Sequence, residues 1–214
     1  MNKRNYQKEL DKVLECLAYR PSVLLHSCCG PCSSYVLTYL AGYFDITVLY
    51  YNPNIYPSAE FEKRAGEQER LIEALNRDLS VNIKYLRGDY DPQEFFDMAK
   101  GLEDVAEGGE RCFKCYELRM REAAVTAKNG GYDYFTTTLS ISPLKNAEKI
   151  NEIGDKLERE YGVRHLPSDF KKKEGYKQSI ELSRKYDLYR QDYCGCVYSK
   201  NEREKEKAQK EADK

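Results

Sequence analysis

Long apolar runs are missing from the 214 residues of this chain. The longest, Asp45 to Tyr51, falls far short of the ~20 residues that a membrane-spanning helix needs. The opening Met1-Asn-Lys-Arg-Asn-Tyr-Gln-Lys leads into no apolar signal segment. The expectation is a protein that neither enters a membrane nor is secreted. With 13 glycines and 7 prolines the chain is too poor in breakers to be collagen-like or disordered. An excess of one charge is also missing: 35 basic residues face 36 acidic ones, for a net charge of −1, which argues against indiscriminate nucleic-acid binding. There is no tryptophan, no phosphate-cradling P-loop, no G-x-G-x-x-G dinucleotide turn and no Ser/His/Asp arrangement.

What the chain does have is cysteine in groups. Eight are present, and seven fall at 28, 29 and 32, at 112 and 115, and at 194 and 196. In a chain expected to stay in a reducing cytoplasm, such groups point to metal binding or thiol redox chemistry rather than to a disulfide framework. Cys16 stands apart among Val13, Leu14 and Leu17, a pattern that predicts a buried, inert thiol.

Hydrophobic periodicity predicts a helix over 5–19 stopped by Pro21, then a strand, Ser22 to Ser27, that runs into Cys28-Cys29-Gly30-Pro31-Cys32 and a buried helix over 35–40. A second strand, 45–51, leads to the loop Asn52-Pro-Asn-Ile-Tyr-Pro57 and a helix over 58–77; a third, 81–86, leads to a turn and a helix near 93–100. A helix carrying Cys112 and Cys115 ends at Gly130-Gly131, a fourth strand spans 132–139, and a helix over 146–161 precedes a short fifth strand at 162–166. Strands alternating with helices imply an α/β fold, a doubly wound, mostly parallel Rossmann-like sheet whose sites lie beyond the carboxyl ends of its strands. We divide the chain into an α/β domain over 1–165, a basic helical extension with the C-x-C pair over 166–200, and a charged tail over 201–214 expected to be disordered.

The turn at Cys28 to Cys32 leaves a strand and enters a helix, where the N-terminal dipole favours thiolates. Cys112-x-x-Cys115 at a helix start is a local metal clip, and with Cys28 and Cys29 it completes a four-thiolate set suited to an iron–sulfur cluster, to structural zinc, or to thiol redox chemistry. Cys194-Gly-Cys196 would close a strained, easily reduced disulfide ring, or supply two further ligands or surface thiols. His26 reads as a packed strand histidine more than a proton donor, and His165 is given no role. Of 19 tyrosines, Tyr51, Tyr56 and Tyr90 fall in predicted loops on one sheet edge, where rings can stack on a base, although core packing is the ordinary use. Residues 1–163 carry 21 basic and 26 acidic side chains, whereas 164–200 carry 9 and 5, so Lys171-Lys172-Lys173, Lys177, Arg184, Lys185 and Arg190 form either a phosphate-neutralising patch or a solvated helix face.

Five blocks, in order, are His26-Ser-Cys28-Cys29-Gly-Pro-Cys32, Tyr51-Asn-Pro-Asn-Ile-Tyr-Pro57 with Glu62-Lys-Arg64, Arg111-Cys112-Phe-Lys-Cys115-Tyr-Glu-Leu-Arg119, Phe135-Thr-Thr-Thr-Leu-Ser-Ile-Ser-Pro143-Leu-Lys145, and Tyr189-Arg-Gln-Asp-Tyr-Cys194-Gly-Cys196. Together they resemble the QueH-type epoxyqueuosine reductases over roughly residues 22–198. The resemblance implies a two-electron deoxygenation of epoxyqueuosine to queuosine at the wobble position of tRNA. It implies that Cys28, Cys29, Cys112 and Cys115 are ligands of a [4Fe–4S] cluster and that Cys194 and Cys196 form a redox-active disulfide fed by an unidentified electron donor. Cys32 with Asp89 or Asp91 is a candidate holder of an additional iron, and Lys145, Lys149, Lys171, Lys172 and Lys173 are candidates for binding the tRNA anticodon arm. Two other classes share some of these features: a zinc-stabilised RNA-binding domain, and an ATP-dependent tRNA-modifying enzyme on the nucleotide-alpha-hydrolase-like fold, which the missing phosphate-cradling motif disfavours.

Overall fold

The structure is a computed structural model that describes residues 4–212. Helix α1, Tyr6–Glu15, starts under Asn5, whose side chain accepts from the Lys8 N–H, and buries Leu10 and Leu14. It ends before the expected boundary, with Cys16 as its C-terminal cap. Cys16 is exposed, not buried. It lies past the last helical turn and off the Leu10/Leu14 stripe, which periodicity read one turn too far.

Strand β1, Ser22–His26, is followed by α2, Gly30–Leu40, and β2, Asp45–Tyr50, by α3, Ser58–Leu79. Next come β3, Lys84–Arg87; α4, Pro92–Ala99; α5, Glu110–Gly130; and β4, Tyr134–Thr137. A 3-10 turn over Thr138–Ile141, α6, Ala147–Tyr161, and the two-residue β5, Arg164–His165, close the α/β part. Helices α7, Gly175–Lys185, and α8, Val197–Ala212, complete the chain. Helix α2 begins at Gly30, ahead of the apolar stretch 35–40, with Pro31 in its first turn as its residue type suits, so Cys32 is helical.

The five strands are all parallel in the order β3-β2-β1-β4-β5. Successive strand residues point to opposite faces. Val23 and Leu25 of β1, Ile46 and Val48 of β2, and Tyr134 of β4 therefore enter one core with α1, α2 and α3. Leu24, Leu49 and Phe135 enter a second core with α5 and α6. Each such fully buried side chain contributes about 1.5–3 kcal/mol relative to exposure. The chain builds β1, β2 and β3 outward in one direction and then crosses back to place β4 on the other side of β1. The crevice above β1 and β4 is thus the switch point where open α/β sheets hold their ligands.

Residues 201–212, expected to be disordered, continue α8 as a helix; 213 and 214 lie outside the described residues. Pairs at helical spacing, Lys200 with Glu204 and Arg203 with Glu206, support it. Its start is tied down by Arg111, whose guanidinium lies 4.3 Å from the Tyr198 ring centre.

Helix α7 packs along α2. The contact depends on Gly175, where an added Cβ would stand 2.0 Å from the Phe170 carbonyl oxygen and 2.5 Å from the Tyr35 ring. Gly175→Ala should lower stability by about 1–3 kcal/mol through overpacking, read as an earlier midpoint in urea; an unchanged midpoint would mean that α7 shifts freely on α2.

Candidate metal and redox site

Three loops meet at the carboxyl end of β1. The first is the turn Ser27 to Gly30. Ser27 donates to Gln68 Oε1 at 2.7 Å, Ser33 donates to the same oxygen at 2.6 Å, and Asn52 Nδ2 donates to the Ser27 carbonyl at 2.8 Å. These bonds fix a turn that periodicity alone leaves free. The Cys29 residue caps α2 in an extended conformation with no side-chain capping bond, which leaves its sulfur available. The sulfurs of Cys28, Cys29 and Cys32 all lie within 4.8 Å of one another, with Cys28 and Cys29 3.8 Å apart. A tetrahedral metal with ~2.3 Å metal–sulfur bonds sets its thiolates about 3.8 Å apart, so this spacing suits ligation.

The second loop feeds α5. Cys112 accepts from the Gly108 N–H at 3.2 Å and packs against the core that also holds Cys28 and Cys29, whereas Cys115 packs with Cys196 and Phe95. The third is 189–196, in which Cys194 lines one cavity with Cys28 and Cys32 and a second, smaller one with Cys112, Cys115 and Cys196. All three cysteine groups singled out from the sequence therefore converge on one place. The thiols of all eight cysteines are free.

Electrostatics distinguish the sulfurs. Hydrogen bonds from Cys29 and Cys32 hold the Cys28 thiol well below its ordinary range, while the Cys28 thiolate pushes Cys29 up to about 12 and raises Cys32. One negative charge is in effect shared by the trio. Burial pushes Cys115 up to about 11 and Cys196 up to about 12.

Around the sulfurs stand cations that residue spacing did not single out. Arg119, one helical turn after Cys115, is 1% exposed, donates from Nε to the Cys115 carbonyl at 3.2 Å, and leaves Nη2 without a partner. It pairs with no carboxylate among the described residues. Burial opposes its charge, but the sulfurs of Cys115, Cys194 and Cys28 outweigh that and keep it protonated. Arg64, also 1% exposed, ion-pairs with Glu60 at 2.6 Å and donates to the Cys194 carbonyl at 3.1 Å. Both arginines lie in the five sequence blocks, and the i, i+4 spacing of Cys115 and Arg119 is the signal that would have found the second.

The other expected site residues are dispersed. Asp89 is exposed and outside the Cys28/Cys29/Cys32 group, and Asp91 is spent as the cap of α4, accepting from the Gln93 N–H. The sheet therefore does not bring a carboxylate from this turn to Cys32, because β3 lies two strands away from β1. His26 is buried, with Nδ1 2.9 Å from Thr137 Oγ1 and Nε2 3.1 Å from the Tyr51 carbonyl; burial drives its pKa to about 3, so it is neutral packing. Tyr51 is buried and donates to Glu94, and Tyr90 stacks on Phe61 with ring centres 4.0 Å apart. Only Tyr56 of these three tyrosines is exposed, because the loop folds the other two inward. Lys149, Lys171 and Lys173 pair with Glu152, Asp169 and Asp11, while Lys172 lines a shallow cavity with Lys145 and Arg4. Lys145 also lines the cavity of about 150 Å³ shared by Cys28, Cys32 and Cys194. Burial works against its charge, but the sulfurs of Cys194, Cys28 and Cys32 raise its pKa overall and hold it as an ammonium.

A parallel α/β protein whose switch point gathers thiols under buried guanidiniums is the class that fold and site define. Comparison with known proteins narrows it. The family profile of epoxyqueuosine reductase QueH matches residues 23–202. The chain is 45% identical to epoxyqueuosine reductase QueH of Staphylococcus epidermidis over 92% of its own length and 85% of that protein's. It is 42% identical to the Streptococcus pyogenes QueH over 92% and 78%, and 35% identical to the Thermotoga maritima QueH over 88% and 95%. Among solved structures, the U34-tRNA thiolase NcsA from Methanococcus maripaludis with its [4Fe-4S] cluster matches with a TM-score of 0.44 and 11% identity, over 91% of this chain and 67% of that one. The chain belongs to the QueH family of epoxyqueuosine reductases. No helix among the described residues is long and apolar enough to cross a membrane.

The shared charge predicts an order of reactivity. In metal-free protein near pH 7.5, iodoacetamide should alkylate Cys28 ahead of Cys29 and Cys32, and Cys115 and Cys196 only as the pH approaches their raised values. Peptide mapping by mass spectrometry reads the order, and equal labelling of the Cys28/Cys29/Cys32 trio at neutral pH would contradict it.

Proposed function

We propose that this chain reduces epoxyqueuosine in tRNA to queuosine, with a [4Fe–4S] cluster held by Cys28, Cys29, Cys112 and Cys115 and with Cys194 and Cys196 as a redox-active pair. The observation that carries the reading is Arg119: a buried guanidinium without a carboxylate partner among the described residues, facing the sulfurs of Cys115, Cys194 and Cys28, fits an anionic thiolate-ligated cluster and fits a neutral thiol core poorly. The donor set is all sulfur, the soft ligation such clusters use. Cys32, with its sulfur beside Cys28 and Cys29, supports the placing of an additional iron there.

When bound, the cluster supplies single-electron transfer at low potential. The chain's own residues do the rest. Cys194 and Cys196, as thiols, give up two electrons and two protons on forming a disulfide. The epoxide takes up two electrons and two protons, both of its C–O bonds break, an alkene forms and the oxygen leaves as water. An external electron donor then returns the disulfide to thiols. Lys145 Nζ, in the cavity with Cys28 and Cys194, donates a hydrogen bond to the epoxide oxygen as negative charge develops on it. At the cavity mouth Leu144 and Tyr176, 64% and 38% exposed, offer apolar surface to the modified base, and Lys172, Lys149, Lys171 and Lys173 lie outside to meet tRNA phosphates. Lys145 thus moves, in this reading, from phosphate contact to the reacting centre.

Protein purified without oxygen should contain about four irons and four sulfides and bleach with dithionite; colourless protein holding about one zinc would overturn the cluster. Cys194→Ser should keep the cluster absorbance but lose multiple turnover, because the serine cannot form the disulfide that releases the two electrons; unchanged turnover would remove the pair from the reaction. Lys145→Met should lower kcat by about 100-fold or more while tRNA affinity holds. Weakened affinity with normal kcat would return Lys145 to phosphate binding.

A further inference from the structure

Gln191 joins the C-x-C loop to the cysteine turn after β1, Arg64 ties that loop to α3, and the reduction of the epoxide as written gives Gln191 no task. Gln191 Nε2 donates to Cys29 Sγ at 3.0 Å. Its Oε1 is buried with no hydrogen-bond partner. A buried amide oxygen is ordinarily satisfied, so this side chain is turned to serve the sulfur at the expense of its own carbonyl. Arg64 keeps the loop where that bond can form: reaching from α3, it donates to the Cys194 carbonyl at 3.1 Å and the Tyr193 carbonyl at 3.5 Å, and lies 5.2 Å from the Tyr193 ring centre. The loop passes Arg64 closely because Gly195 adopts φ +131°, a region closed to other residues without strain, and a Cβ there would stand 3.1 Å from Arg64 Nη1.

We propose that Gln191 is a positioning residue that sets the reduction potential of the cluster through its N–H···S bond to Cys29. The inference rests on the [4Fe–4S] reading of the site. A donor on a ligand sulfur stabilises whichever state carries more negative charge on that sulfur, which is the reduced one, and so raises the potential. Because Gln191 rides on the same loop as Cys194 and Cys196, the residue that makes the cluster a better electron acceptor is carried by the segment that delivers the electrons. A rearrangement of that loop on disulfide formation would loosen the bond and make the loaded cluster a stronger reductant toward the substrate.

The test uses anaerobically prepared holoprotein: wild type, Gln191→Leu and Gln191→Glu, each assayed for iron and sulfide and titrated potentiometrically by visible absorbance. At equal cluster content, Gln191→Leu should lower the reduced-to-oxidised ratio at a fixed potential about tenfold, equivalent to 59 mV for a one-electron couple. Gln191→Glu, which adds a negative charge in place of the donor, should lower it further. Equal midpoints in all three proteins overturn the proposal. Loss of the cluster from both variants also overturns it, by making Gln191 an assembly residue. A wild type without iron and sulfide rejects the cluster itself, an outcome visible before any variant is titrated.

Discussion

A buried guanidinium has to be answered by negative charge, and at the switch point of this sheet the chain answers with sulfur where most proteins use carboxylate. Among the described residues Arg119 pairs with no acid, and Arg64 pairs with one, Glu60, through Nε while its Nη1 donates to the Cys194 carbonyl. Both cations lower the cost of thiolates close by. That makes the sulfurs better ligands, and it also makes them dependent on the arginines, since removing either cation leaves unpaired charge in a dry place. The bonds that brace Ser27, Ser33, Gln68 and Asn52 arise from the same requirement: sulfurs that share one charge work only if their separation is held.

Topology brings the pieces together cheaply. β1 is central, so the turn after it is flanked by the segments that leave β2 and β4. Helix α5 presents Cys112 from its first turn, where the helix dipole also favours a thiolate, and Cys115 from its second. The segment after α7 returns over this end of the sheet and adds the third cysteine group, Cys194 and Cys196. Three stretches far apart in sequence need only short local structure to meet there.

Much of this was legible from the sequence. The short apolar runs Ser22 to His26 and Asp45 to Tyr50 marked buried parallel strands, and clustered cysteines at strand and helix ends marked the site. What escaped was set by contacts distant in sequence. Asp89 was attractive for its place after a strand, but strand order decides distance, and β3 is separated from β1 by β2. Lys145 was a candidate for the tRNA anticodon arm, and nothing local shows that the segment after β4 brings it into one cavity with Cys28 and Cys194. The charged tail looked disordered for want of apolar anchors, yet the ring and guanidinium at its start, Tyr198 on Arg111, hold it to α5. Gln191 stood in a recognised block with no signal for its role, since a glutamine declares itself only by its partner.

The outermost strands carry a different consequence. β3 is four residues long and mostly exposed, with Lys84 and Arg87 at its ends, and β5 is two residues long. An open sheet offers its unpaired amides to any passing strand, and short, charged margins make that template poor. A protein that must keep reactive thiols from meeting those of its neighbours benefits from a sheet that does not recruit a second chain along its rim.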